Sequence, residues 1–193
     1  MLIERFKGIP IILGSQSPRR KELLQKMGFD FQVIVKETDE HFDKQQSPRE
    51  VVEHIATNKI QGFDSTSFHD TLVITADTIV VHQDEILGKP HDEKEAFDML
   101  DKLQGAHHVV LTAVALQYQG KRHSFVEETQ VEFYPLSAEE IIFYMENYHP
   151  FDKAGSYGIQ EWIGFIGVKS ITGSYENVVG LPTARLYQEM KKL

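Results

Sequence analysis

Apolar and polar residues follow one another along the chain in patterns that predict strands as well as helices. The most regular apolar segment, Leu72–Val81, has mostly apolar side chains on both faces, which predicts a strand covered on both sides. Ile9–Gly14 predicts a short buried strand, and the alternation over residues 31–35 predicts another. Val109–Tyr118 and Phe125–Tyr134 flank a turn sequence, so they are predicted to form a long hairpin.

Five helices are predicted where apolar residues recur at helical spacing behind a capping residue or a proline. Two of them begin with Ser-Pro, because serine caps the first turn and proline is favoured at the first helical position. One of these, Ser47-Pro48-Arg49-Glu50, also carries the glutamate of a capping box. The predicted helices start at Ser17, Ser47, Asp92, Ser137 and Pro182.

The order of these elements predicts an α/β fold with a mixed sheet. Strands and helices are interspersed without strict alternation, and the later strands have an antiparallel pattern. Within the glycine-rich residues 152–180, two short strands are predicted, around Phe165–Ile171 and Tyr175–Val178. No repeat or long linker divides the chain, so residues 1–193 are predicted to form a single domain.

Composition and charge exclude several classes of function. The chain has 193 residues, of which 41% are hydrophobic and 25% charged, as in an ordinary globular protein. It has no cysteine, which excludes disulfides, zinc–thiolate sites and cysteine nucleophiles. Its net charge of −9 disfavours general nucleic-acid binding. The early apolar run Ile9–Leu13 is too short for a signal peptide, and no run reaches the length of a membrane span, so a cytoplasmic protein without membrane attachment is expected.

Asp77 is the first candidate for chemistry, because its carboxylate lies within the apolar strand Leu72–Val81. An ionised carboxylate in such a place is costly unless a cation or hydrogen-bond donors compensate it. One interpretation is structural, with Asp77 at a strand end or bulge where it caps the backbone. The other is functional, with Asp77 as a metal ligand or a general base.

The turn Ser15-Gln16-Ser17-Pro18-Arg19-Arg20 is a candidate anion site. It lies between a predicted strand and a predicted helix, whose N-terminal amides attract anions. Arginines in a first helical turn oppose the helix dipole, so two of them followed by Lys21 indicate a negatively charged ligand such as phosphate. The alternative is a solvated run of charges paired with Glu22.

Three further charged residues are weaker candidates. Lys59 is in register with the apolar residues of its helix, where its stem could simply follow the core. Lys89 lies on the stiff turn Gly88-Lys89-Pro90. Glu40 lies in an acidic loop, and with Asp77 it could supply two oxygen ligands to Mg²⁺.

The histidines have no metal-binding spacing, and neither a Gly-x-Ser-x-Gly elbow nor a Walker loop is present, which argues against serine hydrolases and P-loop ATPases.

Together these segments resemble the Maf family of nucleoside triphosphate pyrophosphatases. The matching segments follow the family's order along nearly the whole chain. They are SQSPRRKELL (15–24), Thr38-Asp39-Glu40, Asn58-Lys59, ADTIV (76–80), GKP (88–90), DKAGSYGIQ (152–160) and GSYENVVGLP (173–182). The resemblance implies a mixed twisted β-sheet flanked by helices, with two lobes around a cleft, as in the inosine triphosphate pyrophosphatases.

The resemblance also implies an activity and roles for individual residues. The activity is hydrolysis of a nucleoside triphosphate to the monophosphate and pyrophosphate with a divalent metal, Mg²⁺ or Mn²⁺. Asp77 would accept the proton of the attacking water and, with Glu40, would bind the metal. The contacts to the triphosphate would come from Ser15, Arg20, Lys59 and Lys89.

Substrate preference follows from the same resemblance. Arg19, Thr78 and Gln160 match the branch that acts on dTTP and UTP, so these nucleotides are expected substrates, with modified uridine triphosphates as further candidates. The expected cellular role is house-cleaning of the nucleotide pool, linked to cell division.

Three positions depart from the family's pattern. Gly14 stands where Ala is common, and Thr75 stands where Gly often precedes Ala-Asp-Thr. Glu161-Trp162 follows Gln160 where a Gly is usual, which adds bulk and charge beside a residue expected to contact the base.

Two other functions stay open. One is a pyrophosphatase of the same chemistry that is specific for 7-methyl-GTP or for inosine-type nucleotides. The other is a non-catalytic nucleotide-binding regulator of septum formation. A homodimer is also compatible with the sequence, because Trp162 and Phe165 add apolar surface in the C-terminal third.

Overall fold

Strands and helices follow each other irregularly in the structure, a computed structural model that describes residues 1–38, 41, 43, 45–64 and 66–193. In these residues the strands are β1 (Ile11–Leu13), β2 (Gln32–Val33), β3 (Leu72–His82), β4 (Glu85–Leu87), β5 (His107–Tyr118), β6 (Lys121–Phe133) and β7 (Val168–Thr172). The helices are α1 (Leu2–Arg5), α2 (Pro18–Lys26), α3 (Pro48–Gln61), α4 (Glu93–Leu103), α5 (Ala138–Tyr148), α6 (Trp162–Gly167), α7 (Tyr175–Val179) and α8 (Thr183–Met190). Among these described helices, none is long and apolar enough to cross a membrane.

The strands form a mixed sheet, as the sequence pattern predicts. Its order is β2-β1-β3-β5-β6-β7, and β4 pairs with β3. β1 is parallel to both β2 and β3, whereas β4 is antiparallel to β3 and β7 is antiparallel to β6. The prediction of an α/β fold with a mixed sheet flanked by helices is therefore confirmed.

The chain divides into two compact units. The first unit comprises Met1–Asp77, Thr112–Glu127 and Gly180–Leu193, and the second comprises Thr78–Leu111 and Glu128–Val179. The long strands β3, β5 and β6 contribute residues to both. Asp77 is the last residue of the first unit on β3, and Thr78 is the first residue of the second.

The first unit has a core built from side chains of β1, α3, β3 and β5. Its buried cluster consists of Ile12, Ile60, Phe63, Val73 and Ala115. The helix α3 starts with the predicted capping box, in which both the serine and the glutamate make their reciprocal bonds. This fixes the start of a fourteen-residue helix, and its residue Ile60 packs in the same cluster as Val73 of β3.

The second unit has an aromatic group at its core. His108, Phe133 and Tyr157 pack edge to face, with ring centroids 5.0–5.3 Å apart. His108 Nε2 and Tyr157 Oη share a hydrogen bond of 2.7 Å. Burial is the main cause that lowers the pKa of His108, and together with the neighbouring His82 and His107 it brings the pKa to about 3, so this ring stays neutral at neutral pH.

The predicted hairpin is present and tighter than expected. β5 and β6 are joined by Gln119 and Gly120 alone, which have positive φ angles of 49° and 72°. Two consecutive left-handed residues give the turn whose twist matches that of paired strands. By contrast, the predicted strand over residues 31–35 is reduced to Gln32–Val33, whose side chains are both exposed.

Of the two strands predicted near the C-terminus, one is confirmed only in its second half and the other is wrong. The segment predicted as Phe165–Ile171 is split between α6 and β7. The segment predicted as Tyr175–Val178 is the helix α7. The reason is visible at Ser174, whose Oγ accepts a hydrogen bond of 3.2 Å from the N–H of Asn177 and so caps a helical turn.

Candidate functional site

The turn between β1 and α2 carries Ser15, one of the predicted phosphate ligands. Ser17 caps α2 as predicted, and its Oγ accepts a hydrogen bond of 3.4 Å from the N–H of Arg20. Ser15 is only 8% exposed, and its Oγ accepts a bond of 3.3 Å from the N–H of Ser17. The serine is therefore held inside the turn instead of projecting into solvent.

Arg20 uses its guanidinium group to join three segments of the first unit. Its Nε donates to Gly180 O at 2.8 Å, and its Nη1 donates to Ala76 O at 3.0 Å and to Ser15 Oγ at 3.2 Å. These bonds tie α2 to the residue before Asp77 and to the segment that leads into α8. Arg20 thus has a structural task that the sequence did not indicate, and its contact with a triphosphate stays a prediction.

Asp77 lies in the middle of β3 and pairs with Lys59 of α3. Lys59 Nζ donates to Asp77 Oδ1 at 2.6 Å, and each side chain is 18% exposed. The interpretation of Asp77 as a strand end or bulge is wrong, and its carboxylate is less buried than the apolar strand suggests. Lys59 supplies the compensating cation. Its ammonium group therefore binds Asp77 and does not simply reach solvent while the aliphatic stem packs along the core.

A second contact fixes the position of this ion pair. Thr75 Oγ1 donates to Ala56 O at 2.8 Å, and Thr75 is completely buried. Thr75 and Asp77 share one face of β3 because strand side chains alternate, and Ala56 and Lys59 share one face of α3 because they are one turn apart. Helix and strand are thereby fixed to each other at two points.

Two of the departures from the family's pattern meet in space. A Cβ atom at Gly14 would lie 2.8 Å from Cγ2 of Thr75 and 3.1 Å from the ring of Phe63. The N–H of Gly14 donates to Ile74 O at 2.8 Å, so β1 cannot easily move away from β3. The glycine at position 14 therefore provides the space that the threonine methyl group occupies.

The second unit holds the other predicted substrate residues. Thr78 is half-buried on β3, Lys89 is exposed in the turn after β4, and Gln160 is half-buried before α6. The N–H of Gly155 donates to Gly88 O at 3.0 Å, which ties the segment that leads to Gln160 to the turn that carries Lys89. Within this unit, the structure therefore connects the segments of two predicted substrate residues.

A buried network next to Gln160 was not foreseen from the sequence. Lys153 Nζ lies 3.1 Å from Glu161 Oε1, and Glu161 Oε2 accepts a short hydrogen bond from the hydroxyl of Tyr144. The Tyr144 hydroxyl in turn accepts a bond of 3.0 Å from the N–H of Gly158. Burial raises the pKa of Tyr144, and its bond to Glu161 raises it further, so the phenol keeps its proton.

The predicted metal ligands are described only in part. Glu40 lies outside the described residues, whereas Asp77 offers a carboxylate that is partly open to solvent. Within the residues that are described, no group of three or more His, Asp or Glu side chains could hold a metal ion. A donor set of one or two carboxylates fits Mg²⁺, which usually completes its shell with water and substrate phosphates.

Arg19, the remaining predicted substrate residue, is half-buried in the first turn of α2.

Comparisons with known proteins agree with the segments noted in the sequence. A family model described as Maf-like protein matches residues 10–193. The dTTP/UTP pyrophosphatase of Flavobacterium psychrophilum is 47% identical over 187 residues, which cover 97% of this chain and 96% of the relative. The dTTP/UTP pyrophosphatase of Phocaeicola vulgatus is 48% identical over 193 residues, which cover 100% of both chains.

A solved structure supports the fold independently of sequence. The Staphylococcus aureus Ham1 protein superposes with a TM-score of 0.52 at 15% identity, covering 93% of this chain and 99% of that chain. At this identity the likeness concerns the fold alone. The family match over almost the whole chain, together with the two relatives of similar length, shows that this chain belongs to the Maf-like protein family.

Proposed function

We propose that this chain is a nucleoside triphosphate pyrophosphatase that hydrolyses dTTP and UTP, with modified uridine triphosphates as further substrates. The observation that carries the proposal is the ion pair between Lys59 and Asp77, in which a partly open carboxylate on β3 lies beside a cation on α3. The names of the relatives from Flavobacterium psychrophilum and Phocaeicola vulgatus support the choice of substrate. Residues 1–193 act as a single catalytic domain in this proposal.

In the proposed reaction, water attacks the α-phosphorus of the nucleotide. A bond forms between the water oxygen and the α-phosphorus, the bond to the bridging oxygen of the β-phosphate breaks, and pyrophosphate leaves. Asp77 accepts the proton that the water loses, a task for which its carboxylate must be ionised and reachable. Displacements at phosphorus need mainly positioning and charge neutralisation, so the cations that contact the triphosphate matter as much as the base.

Lys59 has two tasks in this scheme. An ammonium group has three donors, so that Lys59 keeps its bond to Asp77 and also donates to a phosphate oxygen. Ser15, Arg20 and Lys89 supply the other contacts to the triphosphate. A divalent cation, Mg²⁺ or Mn²⁺, held by Asp77 and Glu40, would neutralise further negative charge when it is bound.

Base selection is assigned to Arg19, Thr78 and Gln160. The amide of Gln160 has one acceptor and two donors, and so it can pair with the carbonyl and imide groups of uracil and thymine. The hydroxyl of Thr78 can donate or accept, and Arg19 can only donate. These three side chains therefore suit a base edge that presents carbonyl oxygens.

The test is pyrophosphate release from a panel of canonical and modified nucleotides, with and without Mg²⁺ or Mn²⁺. The variant Asp77→Asn keeps the shape of the side chain and removes its basicity, so kcat should fall by about 10²–10⁴-fold while the protein stays folded. The matched control is Asp70→Asn, which makes the same change at an exposed carboxylate of the first unit. Asp70→Asn should leave kcat at the wild-type value.

Several results would contradict the proposal. Wild-type turnover in Asp77→Asn would remove Asp77 from the chemistry. A clear preference for 7-methyl-GTP or inosine triphosphate would overturn the assignment of dTTP and UTP. Nucleotide binding without any pyrophosphate release would indicate a regulator instead of an enzyme.

A further inference from the structure

An ion pair between a buried lysine and a partly exposed glutamate lies next to Gln160 and has no part in the proposed chemistry. The side chain of Lys153 is only 9% exposed, and its Nζ lies 2.8 Å from Asp152 Oδ1 and 3.1 Å from Glu161 Oε1. Asp152 is 56% exposed, so solvent screens its attraction to the ammonium group of Lys153. Glu161 is only 25% exposed, so its attraction to the same group is screened less. Glu161 is therefore the more effective counter-charge for a buried ammonium group.

Both oxygens of Glu161 are used inside the second unit. Oε1 faces Lys153, and Oε2 accepts the hydrogen bond from Tyr144 of α5, a side chain that is completely buried. Glu161 is also the N-cap residue of α6, but its side chain makes no capping bond there. The carboxylate is thus directed into the protein and not toward the end of its own helix.

Gly158 completes the network and shows how closely it is packed. Its N–H donates to the Tyr144 hydroxyl at 3.0 Å, and its carbonyl oxygen accepts a bond of 2.9 Å from the N–H of Glu161. A Cβ atom at Gly158 would lie 2.8 Å from Glu161 Cδ and 3.0 Å from Lys153 Cε. The ion pair therefore lies directly against the backbone of the segment that ends at Gln160.

Gln160 is held between fixed points. Glu161 follows it directly, and Gly158 precedes it by two residues. Upstream, Gly155 is bonded to Gly88 O at 3.0 Å. A shift of Glu161 away from Lys153 and Tyr144 would consequently move the backbone of Gln160 with it.

We propose that Glu161 is a positioning residue that holds Gln160 where its amide selects a pyrimidine base. The ion pair with Lys153 and the hydrogen bond from Tyr144 hold Glu161 in place, and Glu161 in turn holds Gln160, which contacts the base. The inference rests on the proposed function, since it takes Gln160 as a contact of the base. It gives a role to the glutamate that stands where the family's pattern usually has glycine.

The principal test is the variant Glu161→Gln, with kcat and KM measured for dTTP and dATP. The glutamine retains the size of the side chain and an acceptor for Tyr144, but it removes the charge opposite Lys153. KM for dTTP should rise about tenfold, with a smaller change in kcat, because a small displacement of a contact weakens binding of the correct substrate. The ratio of kcat/KM for dTTP over dATP should fall by a similar factor, about tenfold.

A second variant separates positioning from general damage. In Lys153→Met/Glu161→Gln, neither charge is left buried without a partner, so selectivity should return toward the wild-type ratio. The control is Glu132→Gln, which removes a carboxylate from another ion pair of the second unit, that with Lys169 at 2.7 Å. Glu132→Gln should leave KM and the ratio unchanged.

The outcomes distinguish this inference from the proposed function. A folded Glu161→Gln variant with the wild-type KM and the wild-type ratio would overturn the inference. If Glu161→Gln has lost selectivity, a double variant that has lost as much would also overturn it. If Glu161→Gln does not fold, the double variant alone decides, and it must retain selectivity. If the wild type releases no pyrophosphate, the proposed function fails, and the same comparison is made on the affinities for α,β-imido-dTTP and α,β-imido-dATP. A wild type that binds both equally would overturn the inference as well.

Discussion

Gly14 and Thr75 should behave as a coupled pair when either is changed. The variant Gly14→Ala places a methyl carbon 2.8 Å from Thr75 Cγ2, and 3.1 and 3.3 Å from two ring carbons of Phe63. The favourable carbon–carbon separation is about 3.5–4.0 Å, so each contact is too short. Neither neighbour can yield easily, because Phe63 is 1% exposed and Thr75 is 0% exposed.

The expected cost follows from these contacts. Overpacking of this kind costs about 1–3 kcal/mol, and the lower backbone entropy of alanine in the unfolded chain offsets about 0.4–1 kcal/mol. We therefore expect Gly14→Ala to lose about 1–2 kcal/mol of unfolding free energy. Thr75→Ser removes the methyl group but keeps the hydroxyl that donates to Ala56 O, and it should cost about 1 kcal/mol for the buried methyl.

The double variant Gly14→Ala/Thr75→Ser is the decisive measurement. The alanine methyl then occupies the space that Thr75 Cγ2 leaves. The loss of unfolding free energy in the double variant should therefore be smaller than the sum of the two single losses by about 1–2 kcal/mol. Urea unfolding of all four proteins gives this coupling energy. The control is Gly88→Ala, where no atom lies within 4 Å of the added Cβ. Strictly additive losses would refute the argument that the methyl group and the glycine share one space.

Three further predictions concern binding and acid stability. Lys59→Ala and Lys89→Ala should each raise the Kd for dTTP about tenfold or more, since each removes a charged donor to phosphate, as titration calorimetry can measure. The pKa of Glu189 is lowered to about 2, first by its hydrogen bond from Lys192, so its stabilising effect is complete above about 4.5 and is lost as the pH falls toward 2. In Glu189→Gln, this part of the pH dependence of urea unfolding should disappear, with a loss of roughly 1–3 kcal/mol at pH 7. His108 has a pKa of about 3 in the folded protein and about 6.5 when unfolded, so acid should weaken the fold between these values, and His108→Phe should flatten that slope.

One exposed ion pair provides the controls for these three predictions. Lys102 pairs with Glu85 at 2.7 Å, and both side chains are more than 40% exposed. Lys102→Ala should leave dTTP binding unchanged, and Glu85→Gln should leave the acid limb of the stability curve unchanged. If Lys89→Ala bound dTTP as the wild type does, Lys89 would be a solvated turn residue. A wild-type pH profile in Glu189→Gln or in His108→Phe would show that the respective group does not cause the slope.

The fold could be predicted from sequence where the signals are local. Residues that are close together in the sequence determine three features: the Ser-Pro starts of α2 and α3, the apolar strand β3, and the hairpin of β5 and β6. The C-terminal third could not be predicted in the same way. Asn177 of α7 donates through its side-chain amide to Val110 O at 3.1 Å and to Thr129 Oγ1 at 3.0 Å, and these contacts join segments that are far apart in the chain.

The candidate site shows the same division. The sequence pattern identified Asp77 and Lys59 separately, but only the packing of α3 on β3 joins them, and no spacing rule connects residues of a helix and a strand. Arg20 was predicted as a phosphate ligand from its charge, whereas its bonds to the carbonyl oxygens of Gly180 and Ala76 depend on segments far apart in the chain. Lys153 was overlooked, because a lysine in a glycine-rich segment gives no sign that it will be buried.

The two contacts between α3 and β3 limit how the length of this region can change during evolution. Removing one residue between Thr75 and Asp77 would turn the carboxylate to the opposite face of the sheet. Removing one residue between Ala56 and Lys59 would rotate the lysine by about 100° around the helix axis. Residues 66–70 lie outside both contacts, but the ring of Phe68 packs against that of Phe63 at 5.3 Å, so length variation among relatives should be concentrated at the exposed residues Thr66 and Ser67. Within α3 and β3 the spacing of the proposed catalytic pair is therefore constrained, whereas the number of exposed residues in the connecting loop can change.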